Sequence, residues 1–132
     1  MNASTHISGQ PYALTQRLAQ ALHEAWSRPL PEAIMEATTL FVLDSLGVTI
    51  GARNAPGIAA MTSALHALEP AVGPATLLTD GSKAGPATAA FLNAAAAHAL
   101  EFDDTHDEAR IHALCAVLPA TASAAGSTAH SA

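Results

Sequence analysis

With 132 residues, the chain has room for one domain or for a piece of a larger one. Five Lys and Arg stand against eleven Asp and Glu, a formal net charge of −6 without a basic stripe, which argues against nucleic acid or an anionic membrane surface as a partner. Half of the residues are apolar, but many of these are alanine, and the aromatics are three Phe, one Trp and one Tyr, so a core must rest on close helix approach.

The lone cysteine, Cys115, rules out an intrachain disulfide and fits a reducing compartment; on its own it reads as a small buried hydrophobe. The start, MNASTHISGQ, lacks the basic and apolar regions of a signal peptide, so a cytoplasmic protein is expected. The apolar runs 37–50 and 87–100 are interrupted by Asp44 and by Asn93 and His98, so neither is expected to span a membrane.

Residues 1–10 are small and polar and are expected to be disordered, with a helical domain over 11–132. Pro11 suits a helix start, and Leu14, Leu18, Leu22, Ala25 and Trp26 recur at helical spacing until Arg28-Pro29 ends the run. Pro31 and Glu32 open a second helix whose apolar residues, from Ile34 to Ile50, cover most of its circumference, so it is expected to be buried. Asp44 within it reads as a core-edge carboxylate, Gly51 as a C-cap and Asn54 to Gly57 as a turn. Ile58, Met61, Leu65 and Leu68 predict a third helix that stops before Pro70, with Met61 in the core. Residues 70–85 form a loop in which ATLLT (75–79) could be extended and Lys83 is solvated. Pro86 starts an Ala-rich fourth helix reaching toward Phe102, with Asn93 either exposed or hydrogen-bonded to a neighbour. Ile111 or His112 opens a fifth helix in which Pro119 predicts a kink or a break. The expected class is all-α, an Ala-rich bundle of about five helices.

The chemistry concentrates between His98 and Pro119, HALEFDDTHDEARIHALCAVLP, which holds five of the eleven carboxylates and three of the seven histidines. Carboxylates crowded beside apolar helices repel one another, which solvent exposure, a cation or a functional role can offset. One reading is a solvated loop on a non-catalytic helical interaction module. A second is D-D-x-x-D from Asp103 to Asp107, the spacing by which helical prenyl synthases hold Mg²⁺, since carboxylates four apart share a helix face.

The third reading is a resemblance. Asn93 followed by HALEFDDTH at 98–106, then His112 and AVLPA at 116–120, together with LFVLDSLGVTIGA at 40–52, resembles the signature of the MmgE/PrpD family over about residues 12–125. That resemblance implies a large helical domain, of which this chain would be the N-terminal part, and a smaller α/β lid domain that is absent here. It implies a lyase such as a 2-methylcitrate dehydratase or cis-aconitate decarboxylase, or a related isomerase, acting on di- or tricarboxylates without metal or other cofactor, as a dimer when full-length. Carried over by position, Glu101, Thr105 and His112 would be catalytic and Asp104 and His106 would contact substrate. A histidine near its ordinary pKa can take and give a proton at neutral pH. Glu101 departs from the family's usual Asp, and Ala113 from its usual Pro.

Overall fold

The computed structural model describes residues 13–69 and 72–128. Five helices dominate: α1 (Ala13–Trp26), α2 (Glu32–Gly51), α3 (Ile58–Leu68), α4 (Pro86–His98) and α5 (Leu114–Thr128). Among the described residues one small sheet pairs β1 (Ala75–Thr76) antiparallel with β2 (Lys83–Ala84), Ala75 opposite Ala84 and Thr76 opposite Lys83. The all-α expectation holds, and part of ATLLT is the extended piece. By compactness the chain divides into residues 1–35 and 36–132.

In the first unit α1 ends as expected at Trp26, where the Ser27 amide and hydroxyl both donate to the His23 carbonyl ahead of Pro29. Its apolar face is not buried: Leu14, Leu18, Leu22 and Trp26 are all exposed. The expected helix start at Pro11 and the expected disorder of 1–10 lie outside the described residues.

The largest departure from the sequence reading is α2. A helix apolar around most of its surface was expected to be buried, yet only Thr49 is, while Leu40, Phe41, Leu43 and Ile50 are half to two-thirds exposed. The reason is geometric. Val42, Ser45, Leu46 and Thr49 line a cavity shared with β1, α4 and α5, so one edge of α2 borders the rest of the unit, while among the described residues Leu40, Phe41 and Leu43 stay open to solvent. Against the sequence reading, Glu32–Asn54 is long and apolar enough to cross a membrane by length and composition, Asp44 notwithstanding; a buried core helix or a signal sequence passes the same test, and little of this one is buried. Gly51 is not a left-handed cap. Its φ is −60°, and the chain tightens into a 3₁₀ turn over Ala52–Asn54. The left-handed residue is Gly57 (φ 88°), which caps the start of α3.

The core of the second unit is built from small residues. Ala75, Leu77, Ala84, Ala89 and Leu92 form one buried cluster with Met61 and Leu65 against it; Ala52, Ile58 and Ala96 form another. Close approach is literal at Gly73, where an added Cβ would collide with the Ala84 carbonyl. Asn93 is buried in mid-helix and resolves the choice left open for it. Its Nδ2 donates to the Thr76 carbonyl (3.0 Å) and its Oδ1 accepts the Leu78 amide (2.8 Å), pinning β1 to α4. Lys83 is exposed as expected, with Nζ donating to Thr76 Oγ1.

The two helices that flank the acidic stretch are shorter on its side than their sequences suggest. α4 stops at His98 because Glu101 turns left-handed (φ 54°) and donates its amide to the His98 carbonyl. α5 begins only at Leu114, because Asp104 caps it from ten residues upstream: Oδ1 accepts the Leu114 amide (2.9 Å) and Oδ2 the Ala113 amide (3.3 Å). Pro119 neither ends nor interrupts α5, which runs through it to Thr128. The missing proline N–H costs one helical bond, to the Cys115 carbonyl.

Candidate active site

Between α4 and α5 the chain makes two reversals, and each uses a non-glycine residue at positive φ. Glu101 (φ 54°) folds the chain back past the end of α4. Arg110 (φ 52°) closes a tight loop in which the His106 amide donates to the Ile111 carbonyl and the Arg110 amide to the His106 carbonyl. Left-handed backbone at such residues costs on the order of 1 kcal/mol, and it recurs where a site needs a particular turn. The result brings His98, Asp103, Asp104, Thr105, His112 and Cys115 together.

Asp103 is the hub. Its side chain is 6% exposed, and Oδ2 lies 2.7 Å from His98 Nδ1 and 3.5 Å from His112 Nδ1. Its other oxygen, Oδ1, is buried without a hydrogen-bond partner. Burial pushes this carboxyl up, but the His98 hydrogen bond, the residue's own backbone and the Cys115 thiol outweigh burial and hold it below its ordinary value. The hydrogen bond from His98 to Asp103, and then the charge of that carboxylate, raise the His98 pKa. Burial, followed by the carboxylates of Asp103 and Asp104, pushes the Cys115 thiol up, so it stays protonated; its Sγ donates to the His112 carbonyl (3.2 Å).

His112 is held differently. Its Nδ1 is 3.0 Å from the Asp104 carbonyl oxygen and 3.4 Å from Thr105 Oγ1. A carbonyl oxygen can only accept, so in the neutral ring Nδ1 carries the proton and Nε2 the lone pair. The His98 and His112 rings are 5.2 Å apart and tilted by 59°, and both remain partly open to solvent. A carboxylate thus joins two imidazoles, of which His98 is biased toward the cation.

Of the residues singled out from the sequence, Thr105 and His112 meet directly. Asp104 reaches His112 through its carbonyl, while its carboxylate caps α5. Glu101 is well exposed and lies near His98 rather than His112, 3.7 Å from Nε2. His106 is engaged in its own loop, Nδ1 accepting the Ala109 amide. Sequence reasoning missed Asp103 as the hub and left His98 undecided. The usable signal was the spacing of His98 and Glu101 on one helix face, but the turn that swings Asp103 back to His98 has no glycine to announce it. Residues 103–107 are not helical, so the face-sharing argument for a D-D-x-x-D magnesium site does not apply to them. A cavity of about 280 Å³ lies close by, lined by Leu46, Ala97, Leu114 and Leu118 among others; its apolar walls suit no carboxylate ligand.

The model of the MmgE/PrpD N-terminal domain matches residues 16–132. Two relatives, both cis-aconitate decarboxylases from Aspergillus terreus, are each 35% identical over 92 residues, which is 69% of this chain and 18% of theirs. No solved structure matches.

Proposed function

The chain belongs to the MmgE/PrpD family by its N-terminal domain, and from that premise we propose that it carries the histidine half of a lyase site for small di- or tricarboxylates of the cis-aconitate type. The observation that carries the reading is the Asp103-bridged pair of His98 and His112 inside the segment that matches the family. His112 Nε2 is the proton carrier beside the substrate carboxylate, its tautomer fixed by the Asp104 carbonyl. Protonated His98 supplies a positive charge for a substrate carboxylate, and the Thr105 hydroxyl a hydrogen bond.

The same geometry implies that these residues are half a pocket. Asp103, Asp107, Glu108 and Glu101 crowd the stretch with negative charge, and Arg110 is the only Arg or Lys in it. Like charges ~4 Å apart repel by on the order of 4 kcal/mol at an effective dielectric of 20, so an anionic substrate needs more cations than are present here. The chain spans 18% of the length of the relatives it matches, and the remaining cations and the exclusion of water would come from the rest of such a protein.

The test is decarboxylation or hydration of cis-aconitate by the 132-residue chain and by a fusion extended to the relatives' length. The chain alone should show no turnover. The fusion should turn over, and His112→Gln should lower kcat by ~10²–10⁴-fold, the range of general acid–base catalysis. Full turnover by the His112→Gln fusion would sink the reading.

A further inference from the structure

Three side chains of the hub have the donor chemistry of a transition-metal site, and none of the family likeness requires it. A ring nitrogen of His98, a carboxylate oxygen of Asp103 and Cys115 Sγ lie within 4.8 Å of one another. Ligands ~2.0–2.3 Å from a tetrahedral zinc ion sit ~3.3–3.8 Å apart, so the three corners are preformed to within about 1 Å. The independent pointer is Asp103 Oδ1. An oxygen of a side chain 94% withdrawn from solvent, with no hydrogen-bond partner, carries a desolvation penalty that a bound cation would offset. It points toward ligation because the carboxylate's other oxygen is already bonded to His98.

We infer that His98, Asp103 and Cys115 form a binding site for a borderline-soft divalent cation of the zinc class, with solvent at the fourth corner. One nitrogen, one oxygen and one sulfur exclude Mg²⁺ and Ca²⁺, which require oxygen ligands, and suit Zn²⁺ or Co²⁺. Binding replaces the thiol proton and the Nδ1 proton of the His98 cation: the S–H and N–H bonds break, metal–sulfur and metal–nitrogen bonds form, and two protons leave to solvent for each ion bound. His98 Nδ1 must also exchange its 2.7 Å hydrogen bond to Asp103 Oδ2 for the metal that Oδ1 would hold. A seated ion would occupy the carboxylate and imidazole that the proposed proton transfer needs, so it would act as an inhibitor; that consequence rests on the lyase reading, whereas the binding does not.

The full chain, freed of metal, is titrated with Co²⁺ and Zn²⁺ and compared with Mg²⁺. One Co²⁺ should bind per chain with a thiolate-to-cobalt charge-transfer band in the near ultraviolet, displaced by Zn²⁺ and not by Mg²⁺. Cys115→Ser should abolish the band. Asp103→Asn and His98→Gln should weaken binding by more than the ~10–100-fold typical of losing an outer partner of a metal ligand. If a variant does not fold, the wild-type chain still decides. Cys115 is its only cysteine, and Zn²⁺ should slow its alkylation at least tenfold while Mg²⁺ does not. Alkylation indifferent to Zn²⁺, or Co²⁺ bound without a charge-transfer band, overturns the proposal. Neither readout requires turnover, so failure of the lyase reading would leave the metal result standing.

Discussion

In α4, Thr88, Ala89, Leu92, Asn93, Ala96 and Ala97 are all buried; in α2, seven residues longer and carrying the larger apolar side chains, only Thr49 is. Leu92 is 3% exposed and Leu40 is 67% exposed. Both helices look like core in the sequence. The difference lies in what each can approach. Alanine lets α4 come close to α5 and to β1, and Asn93 adds hydrogen bonds to the strand that a packed apolar helix cannot make. α2 offers bulky groups on all sides, and a helix of that kind needs neighbours all round to realise the ~1.5–3 kcal/mol available from each large side chain. Here it has them along one edge. The comparison teaches that small residues mark the helix that packs closely within the second unit, while bulky ones mark a helix whose apolar surface is only partly used by the described residues.

The sharpest way to break this comparison is to truncate the buried leucine. Leu92→Ala removes one of the two large side chains buried in the cluster with Ala75, Leu77, Ala84 and Ala89, and the alanines cannot reach across the hole it leaves. A loss of ~2–5 kcal/mol is expected, enough to unfold a marginal domain. Chemical denaturation followed by far-ultraviolet circular dichroism measures it. A loss under 1 kcal/mol would mean that the α4 core is not what holds the unit together.

Much of this architecture could be read from the residues. Proline placed the helix limits near Pro29, Pro31, Pro70 and Pro86, and the helical period of α3 put Met61 and Leu65 on the inner face. What could not be read has a common cause. The end of α4, the start of α5 and the position of Asp103 all depend on side chains reaching across the acidic stretch, Asp104 to the Leu114 amide and His98 to Asp103. Periodicity reports a residue's neighbours along one helix, and these contacts join separate elements. The burial of α2 was unreadable for a related reason. An apolar circumference reports what a helix requires, and whether the requirement is met depends on surfaces outside it.

A smaller effect tests the far end of α4. His98, its last residue, ties the helix to the loop that leads to α5, and α2 has no described counterpart at Gly51. The His98 pKa is raised by Asp103, so its stabilisation is complete below the ordinary imidazole value of 6.5 and fades as pH rises through the higher folded value. The Asp103 pKa is lowered, so its stabilisation is complete above the ordinary carboxylate value of 3.8 and fades as pH falls through the lower folded value. The bond is therefore at full strength between about pH 3.8 and 6.5. His98→Gln should lower the thermal midpoint most within that window and progressively less on either side. A difference in Tm that does not vary with pH would show that the contact acts through packing alone.

The smallest expected effect is the most telling about α2. Leu40 projects from the outer face, and removing a side chain that is already mostly in water leaves no cavity. Leu40→Ala should therefore change the stability of the 132-residue chain by no more than ~0.5 kcal/mol, the usual range for surface substitutions. In a fusion extended to the relatives' length, the same substitution should cost several times more if the added chain covers this face. The measurement is the difference between the two denaturation experiments, run at matched dilute concentration. If Leu40→Ala costs the short chain as much as Leu92→Ala does, the outer face of α2 is already covered in solution. If a second copy is the cover, the cost falls as the protein is diluted, which sedimentation at the same concentrations would register as dissociation.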